Sequence, residues 1–223
     1  MGFDVVAAVE RAVDRDGAWR FVREYAEHFA TPLGDDDGCA VDEAEERLGV
    51  RLPAAVREAY ALFGARADLT SNQDELLPPD RMGLWDGVLV HRVENQGCAH
   101  WGVALTGDDP PVLVRPDLAD ERAERWEPFL DRFSLACVEM VLSESLFLED
   151  GLTDYLHLEG EGPPRVPDAF RPLPAPGVGR SRWYAGDDAV LRVVDDGFLM
   201  ARGRTPAALE AVLAAFPGDW LLS

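Results

Sequence analysis

Cys98, His100 and Asn95 come nearest to a reactive set in this chain, because a thiol, an imidazole and a carboxamide are the working parts of a cysteine hydrolase. Their spacing works against that chemistry. Residues two apart share a face only if the strand begins before Cys98, and no loop follows that would hold an oxyanion. Cys39, Cys98 and Cys137 form no C-x-x-C pair, and His28, His91, His100 and His157 are equally scattered. A zinc site needs about four clustered ligands. No glycine-rich phosphate loop, dinucleotide fingerprint or G-x-S-x-G elbow occurs. With 42 acidic residues, carboxylate pairs arise by chance and single out no general acid. The residues name no reaction and imply no cofactor or metal.

Charge is the stronger signal. The 42 acidic residues face 21 basic ones, every one of them Arg, for a formal charge of −21. Direct nucleic-acid binding needs a basic footprint and is therefore not expected. A basic protein partner, or simple solvation, fits better. Seven carboxylates fall between residues 35 and 46, and of these Asp35, Asp36, Asp37, Asp42, Glu43 and Glu46 are the candidate partner-binding residues. The Asp-x-Asp spacing lacks the glycine and glutamate of a calcium loop. A Lys-free, acidic composition shared across a genome gives the same numbers, so a solvated face stands beside the binding reading.

The elements that would position these residues follow from periodicity. Residues 3–29 read as helix with a break at Asp16-Gly17. Asp42 and Glu45 suggest a capped helix ending at Gly49, and Pro53 opens a second whose stripe is Leu52, Val56, Tyr60 and Phe63. Leu76 to Trp85 reads as an edge strand. A central hairpin follows, Val88–Val93 and His100–Leu105, about the turn Asn95-Gln96-Gly97, with Trp101 and Val103 on one face. Val112-Leu113-Val114 is a further strand of the meander. Residues 128–147 read as a helix whose Phe129, Phe133, Cys137, Met140, Val141 and Phe147 form one packing stripe. After a Gly/Pro-rich stretch come three strands and a helix capped by Thr205.

The expected fold is α+β: an antiparallel sheet flanked by helices, extended by a C-terminal β-meander plus helix. Residues 1–158 make the first domain and 159–180 a linker. Residues 181–223 form a βββα module docked on the first domain through apolar residues that include Trp220. That module holds six acidic residues and four arginines, which leaves −19 of the formal charge to residues 1–180. No apolar run approaches the roughly 20 residues of a membrane span, and no signal segment is evident, so a cytoplasmic location is expected.

Several short motifs in this order resemble the SUKH superfamily, the fold of fungal cell-wall-synthesis regulators and many bacterial immunity proteins. They are Ala44-Glu45-x-x-Leu48-Gly49-x-x-Leu52-Pro53, Tyr60 with Phe63, Glu94-Asn95-Gln96-Gly97 with Trp101, and Asp109-Pro110-Pro111-Val112 leading to Trp126 and the long helix. The resemblance covers roughly residues 40–147. Gly64-Ala65-Arg66 departs from the Asn-Gly that many members carry. The resemblance implies a non-enzymatic, protein-binding domain in which Leu48, Gly49, Leu52, Pro53, Glu94, Gln96, Trp101 and Trp126 are structural. In bacterial members the implied partner is a toxin domain, often a nuclease, and an acidic inhibitor suits its basic cleft. The alternative is an intracellular scaffold or regulator of the same fold that binds a housekeeping partner.

Overall fold

The structure, a computed structural model, describes residues 3–119, 124–158, 164–174 and 181–222. The chain opens with α1 (Val5–Arg11) and α2 (Arg15–Phe29). The break falls at 12–14, earlier than Asp16-Gly17, because Asp14 caps α2 by accepting from the Gly17 amide at 2.8 Å. Gly17 itself permits close packing: a Cβ there would lie 2.2 Å from the Arg11 carbonyl oxygen.

Next come α3 (Asp42–Leu48), α4 (Ala54–Phe63) and the single turn α5 (Ala67–Thr70). Gly49 ends α3 at φ +68°, a left-handed position where Gly costs least. Asp42 does not cap α3. It is the first helical residue, preceded by Val41 with no side-chain cap. Glu45 reaches forward, accepting from the Leu52 amide at 2.8 Å, and so fixes the connector that carries Leu52 and Pro53 into α4.

The first sheet comprises β1 (Glu75–Leu76), β2 (Gly83–Trp85), β3 (Val88–Val93), β4 (Ala99–Ala104), β5 (Val112–Pro116) and β6 (Glu127–Leu130). Strands β3 to β6 form an antiparallel meander, and β1 and β2 share the other edge of β3. The β3–β4 register slips between Val90 and Arg92, a bulge that sets both His91 and Arg92 opposite Trp101. Both are therefore turned to the inner face of the sheet, His91 against Phe133 and Arg92 against Trp101.

The stretch expected to be helical from 128 begins as a strand. Phe129 belongs to β6, and α6 runs only from Phe133 to Ser145. Nor does α6 have one packing stripe: of its 13 residues only Leu135 is not buried. It lies at the centre of the molecule, against α2, α4, α5 and β6.

The second sheet comprises β7 (Thr153–His157), β8 (Arg171–Pro172), β9 (Arg182–Gly186), β10 (Ala189–Val194) and β11 (Phe198–Gly203), and α7 (Pro206–Ala215) follows it. The strand order is β7-β11-β10-β9-β8. The outer strand β7 comes from the stretch assigned to the first domain. β8 comes from the stretch assigned to the linker, of which residues 159–163 and 175–180 lie outside the described residues. Alternation splits this sheet between two cores. Trp183, Ala185 and Val190 join the large core built on α2, α4 and α6, while Leu191, Val193, Leu199 and Ala201 face α7. Trp220 packs in this smaller core, where it bridges to Leu156 of β7, a residue of the stretch assigned to the first domain, and donates through Nε1 to the Phe216 carbonyl.

Candidate protein-interaction surface

The acidic segment divides into residues used by the fold and residues left to solvent. Asp37 accepts from the Gly34 amide at 2.7 Å and from Arg66 at 2.9 Å. Arg66 also pairs with Asp68 at 2.7 Å and donates to the Thr31 carbonyl at 2.8 Å, so this one guanidinium ties the loop to α5. Asp42 and Glu45 share Arg57, at 3.1 and 2.6 Å. The Gly34 amide holds the Asp37 carboxyl below its ordinary range, and Arg57 does the same for Glu45. Asp35, Asp36, Glu43 and Glu46 are exposed, and their carboxylates make no hydrogen bond or ion pair among the described residues. The loop and α3 both border α4. Cys39 donates to the Tyr60 carbonyl near its C-terminal end, and Arg57 meets α3 nearer its start.

Gly64 and Arg66 have structural roles of their own at the end of α4. Gly64 admits Cys39 Sγ, which would stand 2.7 Å from a Cβ, and Arg66 is the cation that organises the acidic loop.

The central turn is held by Glu94. Its carboxylate accepts from the amides of Gln96 at 2.8 Å and Cys98 at 3.0 Å, with Gly97 left-handed at φ +77°. Gln96 takes part through its backbone alone. Cys98 is exposed just before β4, and His100 leans edge-on against Trp85 at 5.3 Å, so no hydrogen bond joins thiol to imidazole. Trp101 points inward onto Phe129, and Trp126 lies on the opposite, outer face, its Nε1 donating to the Trp85 carbonyl at 3.2 Å. Leu52 and Pro53 are buried and Leu48 half-buried where α3 meets α4.

A charge cluster that periodicity did not reveal sits beside α6. Arg92, 4% exposed, pairs with Glu144 at 2.5 Å, Asp74 at 3.0 Å and Glu139 at 3.3 Å. Glu144 also accepts from the amides of Asn72 and Gln73, at 2.7 and 2.6 Å. From the second sheet Arg192 donates to Ser143 at 2.7 Å and approaches Glu139 at 3.9 Å. Each of these charged side chains has a partner of opposite charge, while Arg92 Nε is buried without a hydrogen bond, and the void beside Arg92 is about 10 Å³, room for one water. The signal was present in Glu139-Met140-Val141-Leu142-Ser143-Glu144: two acids inside an apolar helix require buried partners. His91, beside this cluster, is pushed down to about 3 by burial and is neutral at physiological pH.

No protein-family model and no curated protein matches this chain. Among the described residues, no group of three or more His, Cys, Asp or Glu is placed to hold a metal ion, and no helix is long and apolar enough to cross a membrane. The acidic segment thus presents Asp35, Asp36, Glu43 and Glu46 unpaired among the described residues, together with Asp42, whose side chain stays 70% exposed beside Arg57. An array of this kind attracts cations and cationic surfaces and repels phosphate.

Proposed function

We propose that this chain is an intracellular protein-binding domain similar to the SUKH superfamily, acting as an immunity protein that neutralises a basic toxin domain such as a nuclease. One observation carries the reading: within the acidic segment four carboxylates remain exposed without an intrachain partner, while Asp37, Asp42 and Glu45 hold their scaffold in place. The internal consumption of positive charge supports it. Arg57 and Arg66, the cations that contact the acidic segment, both face its carboxylates, so their charge is engaged within the chain.

Its test is genetic and direct. The reading frame beside this gene should encode a large secreted protein ending in a toxic domain, and co-expression of this protein with that domain should restore growth. A well-folded protein that leaves the toxin active would sink the pairing. Copurification with a resident cellular protein instead would favour a scaffold.

A further inference from the structure

We propose that the outer face of the first sheet seats an arginine-bearing segment of a basic protein partner, with Trp85 and Trp126 as its anchors. The inference rests on the protein-binding reading but assigns contact to a different surface from the acidic segment.

The face is built by alternation. With the bulge turning His91 and Arg92 inward, Val88, Val90, His100, Gly102 and Arg115 point to the other side. Val88 and Val90 are each only 8% exposed, yet neither belongs to either core. What covers them is a layer of rings. Trp126 lies over Gly102, where a Cβ would come within 2.9 Å of its Cη2, and Trp85 meets Trp126 edge-on at 6.1 Å. The core helices α4 and α6 lie on the opposite side, so this half-buried aromatic layer has no helix over it among the described residues. Tryptophan and arginine are the residue types that dominate binding energy at protein interfaces.

Charge decides the occupant. Arg115 stacks with its guanidinium carbon 4.2 Å from the Trp85 ring centroid, with Asp86 at 3.1 Å and Glu124 at 3.7 Å. The chain thus already demonstrates the chemistry the face offers: an aromatic plane rimmed by carboxylates that holds a guanidinium. The Asp86 side chain is 67% exposed, so an acceptor remains at the rim. An acidic or phosphorylated partner would be repelled there.

The test uses the full chain labelled with 5-fluorotryptophan, whose six tryptophans report separately by fluorine NMR. Trp85→Phe and Trp126→Phe assign two lines, and octa-arginine and octa-lysine peptides are the probes. Octa-arginine should shift the Trp85 and Trp126 lines saturably and leave the others unmoved. It should bind at least about threefold tighter than octa-lysine, the margin expected of exposed cation–π contact. Asp86→Asn should weaken it. Unmoved Trp85 and Trp126 lines, or equal response to both peptides, overturns the assignment. A toxin domain that binds tightly while leaving these two lines unchanged also overturns it, and leaves the immunity reading intact. Lines that respond to octa-arginine when the toxin does not bind sink the immunity reading alone.

Discussion

At Asp74 a carboxyl that ordinarily titrates at 3.8 is pushed up to about 6. Burial is the largest cause, and it outweighs the attraction of Arg92, with Glu144, Glu94 and Glu139 adding repulsion. The folded state therefore binds this proton more tightly than the unfolded state. Its contribution to stability is fully present below about pH 4 and is lost as pH rises through about 6. In urea titrations at about pH 5 and about pH 7.5, Asp74→Asn should lose more stability relative to the parent at the lower value, while His91, held neutral by burial, pulls the parent's own profile in the opposite sense. Asp37 and Glu45, whose pKa values are lowered, act in the opposite sense. Their stabilisation is lost as pH falls below about 4, so stability should turn over there. Glu144 offers a sharper substitution. Glu144→Gln leaves Arg92 and the Asn72–Gln73 amides short of a buried anion, and should cost about 3–5 kcal/mol in the same titration. At this scale the sequence announced which acids exist but not which are engaged. Asp35 and Asp37 look alike in a run of three, and only the fold brings Arg66 to one of them.

Elements were legible where periodicity meets a single water-facing boundary. The two strands around Gly97, the stop at Gly49 and the Thr205 cap all follow from local chemistry, and the cap is realised as Ala208 N–H to Thr205 Oγ1 at 3.2 Å. The misreadings share a cause. An amphipathic stripe marks a helix with one wet side, whereas α6 is enclosed all round, so Phe129 was drawn into a helix that begins four residues later. The bulge in β3 left no local signal, since Val90-His91-Arg92 reads as an ordinary strand. Gly102 shows how tightly the outer layer is fitted. Gly102→Ala would drive a methyl to 2.4 Å from Val88 Cγ1 and against the Trp126 ring, and should cost about 1–3 kcal/mol with a change in tryptophan emission. An unchanged spectrum and stability would show that this layer is loosely packed.

Across the whole molecule, composition marked residues 159–180 as a linker with the C-terminal module docked on the first domain, and the contacts bind both sides of that stretch together. The strand β7 precedes that stretch and pairs with β11 beyond it. Arg202, 1% exposed, donates to the Phe29 carbonyl at 2.6 Å and pairs with Asp150 at 2.8 Å. Trp183 sits in the large core under Arg192. Long-range contacts of this kind leave no trace in local patterning. Trp183→Ala should cost about 3–5 kcal/mol and lower one cooperative transition of the whole chain. Separate melting of a C-terminal unit would show the two sides to be independent. Formal charge, in contrast, was fully legible, and it supplies the long-range part of the proposed function. The direct measurement is the association rate with the toxin domain of the neighbouring reading frame. It should be followed from about 50 to about 500 mM NaCl, for the parent and for Asp35→Asn, Asp36→Asn, Glu43→Gln and Glu46→Gln combined. Electrostatic steering predicts a parent rate that falls at least about tenfold with salt, and a variant that starts slow and responds little. A variant that associates as fast as the parent, with the same salt dependence, would contradict the account.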